Sequence, residues 1–125
     1  MAEALTQQLL QIAAMYRKRN RSELAEAVYR QVLELQSSTE RFDSSETAVA
    51  LYSLGDVYAS TDREMQALPY FKMALRIWEK IGARDTESKM QLLAKDFLRE
   101  RAREIVSTTL QGLEAHLHEP DAQAL

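Results

Sequence analysis

The chain repeats itself, with a 42-residue period. At one constant offset Leu9 is matched by Leu51, Ala13 by Gly55, Tyr16 by Tyr58, Ala25 by Ala67, Tyr29 by Phe71 and Val32 by Ala74. Size is kept as well as polarity, which chance pairings in a short chain do not do. Within each copy the apolar residues recur every three or four positions, the period of a helix. A short polar turn, Ser60-Thr61-Asp62-Arg63 in the second copy, separates two such runs. Each copy is therefore read as a pair of antiparallel helices. Small residues at Gly55, Ala67 and Ala74 let the backbones approach, and Tyr58 and Phe71 fill the space between them. One pair cannot cover its own apolar faces, so the repeat predicts neighbours of the same kind.

In order, the first helix is expected from about Ala2 to Arg19 and ends at Asn20, a residue that tolerates the left-handed conformation. Ser22 is the expected N-cap of the second helix, which runs to about Gln36. A polar loop follows, with Phe42 tucked against the domain, and Ser44 or Ser45 caps the third helix. The fourth helix carries Pro69 near its start, where the lost hydrogen bond costs little, and stops at Gly82. Trp78 lies one step off the Phe71, Ala74 and Ile77 stripe and is expected to cover the seam between repeats; a partner anchor is the alternative.

Residues 86–118 have two readings. One is a third hairpin, with Met90, Leu93, Ala94 and Phe97 on its first helix and Val106, Leu110 and Leu113 on its second. The other is one continuous helix, because Arg99 to Glu104 holds no glycine, proline or asparagine and is rich in helix formers. The hairpin is preferred. The continuous helix would leave apolar surface beyond the domain and invite a second chain. Residues 119–125 are expected to be a disordered tail.

Composition removes several functions. Sixteen basic and nineteen acidic residues leave a formal charge of −3, which gives no electrostatic case for nucleic acid or a membrane surface. There is no cysteine, so disulfides and thiolate metal sites are excluded. No apolar run approaches the roughly 18 residues of a spanning helix, and Glu3, Gln7, Gln8 and Gln11 interrupt any signal-peptide core. The cytoplasm is the expected compartment. His116 and His118, the only histidines, stand two apart and so on different sides of a helix; they read as surface residues, not ligands. No phosphate loop or nucleophile elbow is present. No enzymatic activity, no cofactor and no metal are expected. The basic run Arg17 to Arg21 reads as a solvated helix end.

The second copy contains Leu54-Gly55-x2-Tyr58, then Ala67-x3-Phe71-x2-Ala74. This resembles the tetratricopeptide repeat. The long period, with Ala67 to Ile77 followed by Glu79-Lys80 and Gly82, is similar to the kinesin-light-chain variety. The resemblance implies an all-α fold, a right-handed solenoid of antiparallel helix hairpins, in a single domain over residues 1–118. Repeat 1 spans about residues 6–40, repeat 2 about residues 48–82, and a degenerate third repeat or long helix about residues 86–118.

The resemblance also implies a concave groove lined by the first helix of each repeat. The positions in this sequence are Gln7, Leu10, Gln11, Ala14, Arg17 and Lys18, then Val49, Tyr52, Ser53, Asp56 and Ala59, then Gln91, Leu92, Lys95, Leu98 and Arg99. Their mixed character suits an extended peptide or a partner helix, and Arg17, Lys18, Lys95 and Arg99 tilt it toward acidic partners. Two departures limit the resemblance. Where kinesin light chains carry paired asparagines, this chain has Leu10-Gln11 and Tyr52-Ser53. Where chaperone-binding members carry a carboxylate clamp, it has Leu10, Ala14 and Ser53. The expected function is non-catalytic binding of a protein or peptide, as an adaptor or assembly factor. One alternative is a structural homo-oligomer built through the C-terminal region, with Leu98, Ile105, Leu113 and Leu117 as the self-association residues. Another is a chaperone or regulatory subunit for one client.

Overall fold

The structure is a computed structural model that describes residues 2–39, 42–82 and 86–117. It has five α-helices, α1 (Ala2–Lys18), α2 (Ser22–Ser37), α3 (Ser45–Ser60), α4 (Glu64–Ile81) and α5 (Thr86–Leu117), and no strand among the described residues. The expected tail, 119–125, and His118 lie outside them. Helices α1 and α2 form one antiparallel pair, α3 and α4 a second, and the pairs stack.

The two hairpin turns are copies of each other, one repeat apart. Asn20 and Asp62 both adopt the left-handed conformation, at φ 58 and φ 60. The Arg21 N–H donates to the Tyr16 carbonyl at 2.8 Å, and the Arg63 N–H to the Tyr58 carbonyl at 2.9 Å. Short polar side chains tolerate this backbone, which explains why Asn and Asp stand there. The left-handed turn itself sets the entry into α2. Arg21 is the residue before that helix and makes no side-chain cap bond, so Ser22 is the first helical residue rather than the cap. Helix α3 is capped by Ser44, whose hydroxyl accepts from the Thr47 N–H at 3.2 Å. Helix α4 ends at Gly82 at φ 65, whose N–H donates to the Trp78 carbonyl. Pro69 is exposed, in the second turn of α4.

Helix α3 is the centre of the domain and touches all four others. Its buried residues include Leu51, Leu54, Val57 and Tyr58. Phe71 lies against Gly55 so closely that a Cβ there would fall 3.0 Å from its ring. The ring is held from both sides, with centroids 5.5 Å from Tyr52 and 4.7 Å from Phe97. Small opposite large is thus how α3 and α4 meet, and α5 joins through ring-on-ring contact. Trp78 is fully buried with Ala48, Leu51, Ala74 and Ile77, and Met90 of α5 packs on that cluster. It seals the seam between successive units, and burial rules out the partner-anchor alternative.

The buried Tyr58 hydroxyl needs a partner. It donates to Glu26 Oε1 at 2.9 Å, and Arg63 Nη2 donates to Glu26 Oε2 at 3.0 Å while its guanidinium lies 4.4 Å from the Tyr58 ring centroid. This cluster joins α2 to the α3–α4 turn. Lys80 pairs with Asp43 and ties the loop before α3 to the end of α4.

Residues 86–117 form one helix of 32 residues, about 48 Å long at 1.5 Å per residue. The third hairpin preferred from sequence is not formed. Arg99 to Glu104 holds no helix breaker, and Arg101 anchors this stretch on α4. Its guanidinium pairs with Glu64 in the first turn of α4, reaches Glu104 at 2.9 Å, and lies 5.3 Å from the Phe97 ring centroid. The residues where the turn was expected are thus held in helical register against α4. Ala94, Phe97 and Leu98 pack on the domain before this point. Beyond it, every residue from Ala102 to Glu114 is exposed.

No helix among the described residues is long and apolar enough to cross a membrane. On the first helix pair Leu5, Ile12 and Leu24 are partly exposed.

Candidate partner-binding surfaces

The first surface lies between α1 and α3. Gln7, Leu10, Gln11 and Ala14 come from one face of α1 at helical spacing, and Val49 comes from α3. With Ser45 and Glu46 they line a shallow recess of about 350 Å³. Leu10 and Val49 are half-buried and form its apolar floor; Gln11 and Ala14 are exposed at its edge. Gln7 Nε2 donates to Glu46 Oε1 at 3.5 Å across the mouth. The recess has room for an apolar side chain, with two glutamine amides beside it able to hydrogen-bond a backbone passing over it.

The remaining expected groove residues are placed differently. Arg17 is ion-paired with Asp56, so the two charges largely cancel. Burial pulls the Arg17 pKa down, but the hydrogen bond and charge of Asp56 outweigh it and hold the guanidinium above its ordinary value. A guanidinium committed in this way offers little to an acidic ligand. Tyr52 is half-buried, its ring 5.5 Å from Phe71 and 5.9 Å from Trp78, so its ring belongs to the α3–α4 seam. Burial raises the pKa of its hydroxyl, the Asp56 charge adds to this, and Arg17 opposes it. Ser53 is buried and contributes little surface. Lys18, Lys95 and Arg99 are exposed, Arg99 with Asp96 at 3.8 Å, and none of them lines the recess.

Ser45 and Glu46 are not among the groove residues expected from sequence. The signal was present: a first-turn residue of α3 faces the middle of α1 once the two helices run side by side.

The second surface is the far half of α5. Ile105, Val106, Leu110 and Leu113 are 46 to 56 % exposed, an unusual level for four large apolar residues on one segment. Val106, Leu110 and Leu113 follow one another at spacings of four and three, one stripe of a helix. Arg99, Arg103, Val106, Leu110 and Glu114 lie along one open face of this segment, with Ala102, Ser107 and Gln111 beside them. Of the expected self-association residues, Ile105 and Leu113 are on this exposed half and Leu98 is half-buried at its root. The side chains of His116 and Leu117 lie outside the described residues.

Among the described residues no group of three or more His, Asp or Glu side chains could hold a metal ion. A family model described as tetratricopeptide repeat matches residues 3–80, which hold both helix pairs. Comparison with curated proteins gives no match.

Proposed function

From the premise that the chain belongs to the tetratricopeptide repeat family, whose members generally mediate contacts between proteins, we propose that it is a non-catalytic interaction module, an adaptor or assembly factor. It holds a peptide or partner helix in the groove of α1 and α3. The observation that carries this reading is the recess formed by Gln7, Leu10, Gln11, Ala14 and Val49. An apolar floor with amides at its edge suits one anchoring side chain and the backbone on either side of it. The rigid frame of helices presets the site, so little ordering cost attends binding.

The partner's anchor is an apolar residue. Lys18, Lys95 and Arg99 lie outside the recess and Arg17 is engaged by Asp56, so the recess itself carries no preference for acidic flanks. The 42-residue period, kept even in the turn hydrogen bonds, supports the long, kinesin-light-chain-like variety of the repeat.

A displayed peptide library panned against the full chain tests this. Wild type is expected to enrich peptides sharing one apolar position, and Ala14→Glu to bind them at least about tenfold more weakly, which corresponds to about 1.4 kcal/mol. Ala14 is exposed, so the variant keeps its fold, which circular dichroism checks. Enrichment that survives Ala14→Glu unchanged, or no enrichment, would contradict the groove reading.

A further inference from the structure

The far half of α5 leaves the domain as a bare helix, and its own composition does not sustain it. Residues 105–112 read Ile-Val-Ser-Thr-Thr-Leu-Gln-Gly. Six of the eight are β-branched residues, serine or glycine, all weaker helix formers than alanine or leucine. A projecting segment of about fifteen residues with such a sequence is marginal on its own in water. Its apolar side chains also stand about half exposed. Low propensity and an uncovered apolar stripe together call for a helix packed on this face.

The charges on the face select the occupant. It is basic at one end, with Arg99 and Arg103, and acidic at the other, with Glu114. Among the described residues neither Arg103 nor Glu114 has an ion-pair partner in its own chain. Turned end for end about a point between Val106 and Ser107, the face maps onto itself. Arg99 then meets the second copy's acidic end, Ala102 meets Gln111, Arg103 lies over Leu110, and Val106 meets Ser107. The aliphatic stem of Arg103 covers Leu110 while its guanidinium reaches outward toward water. A parallel pairing would set Arg99, Arg103 and Glu114 each against its like, which is unfavourable.

We propose that the chain forms a two-fold symmetric homodimer in which the far halves of two α5 helices pair antiparallel, centred between Val106 and Ser107. The contact is isologous and closed, so it stops at two chains. It uses a surface separate from the α1–α3 recess and leaves that recess open.

Sedimentation velocity on the full chain across a concentration series tests this. Wild type is expected to move from the 14.3 kDa monomer toward twice that mass as concentration rises. Leu110→Asp should stay monomeric over the same range. Arg99→Glu and Glu114→Arg should each weaken the dimer several-fold, and the two together in one chain should restore it. All three residues are exposed, so the domain tolerates the changes. A wild type that keeps the monomer mass throughout would overturn the proposal and assign the face to a different protein. So would a dimer indifferent to Leu110→Asp. Failure of the double reversal to recover the dimer would overturn the antiparallel register.

Discussion

Gly55 shows how narrow the fit is between neighbouring helices. Alanine there would gain roughly 1 kcal/mol of helix propensity. It would also place a methyl 3.0 to 3.3 Å from three atoms of the Phe71 ring. That ring is 2 % exposed and wedged between Tyr52 and Phe97, so it has nowhere to move. Overpacking of this kind costs about 1–3 kcal/mol, and the steric term wins. Gly55→Ala is therefore expected to lower the urea midpoint, with a net loss of about 1 kcal/mol. A midpoint at or above wild type would mean that the ring can shift. The position was readable in the sequence, because Gly55 stands where the first copy has Ala13 and opposite an aromatic. Tyr52 and Ser53 were not. Both fall on the expected groove face, but α3 is enclosed by four other helices, and a helix covered on most sides has no clean outer face on which periodicity could place them.

At the scale of the elements, the helix stops came through clearly, whereas the cap expected at Ser22 did not form. Asn20 and Gly82 adopt the left-handed conformation that their residue types favour, and Asp62 joins Asn20 at the matching point of the second copy. Sequence left the cap of α3 open between two serines, and the backbone decides it. Ser44 has extended geometry at φ −110 and ψ 163, from which its hydroxyl reaches the Thr47 N–H. Ser45 is already helical. Replacing the capping hydroxyl should cost about 1 kcal/mol, so Ser44→Ala is expected to destabilise by that amount and Ser45→Ala by a few tenths at most. Equal effects in denaturant titrations would remove Ser44 from the role. Helix α5 is the element that pattern misjudged. Its second apolar stripe looked like the returning arm of a hairpin, yet nothing between Arg99 and Glu104 breaks a helix. The contact that seats this stretch on α4, Arg101 with Glu64, joins residues 37 apart, and no local window contains both.

At the scale of the molecule, two helix pairs and one straight helix carry the two proposed contact faces. The repeat frame presents the α1–α3 recess, and the unpaired third unit presents the far half of α5. The proposed dimer depends on α5 running straight out of the domain. A folded-back arm would cover the stripe with its own chain and leave nothing for a second copy. The distance between spin labels at Lys89 and Thr108, both exposed and off the proposed contact face, tests this most directly. Labelled chain diluted into excess unlabelled chain reports only the distance within one molecule. A straight α5 predicts a single distance of about 29 Å, the helical rise from Lys89 to Thr108. A population under about 15 Å, the span expected of a hairpin whose helices pack roughly 8–10 Å apart, would contradict it.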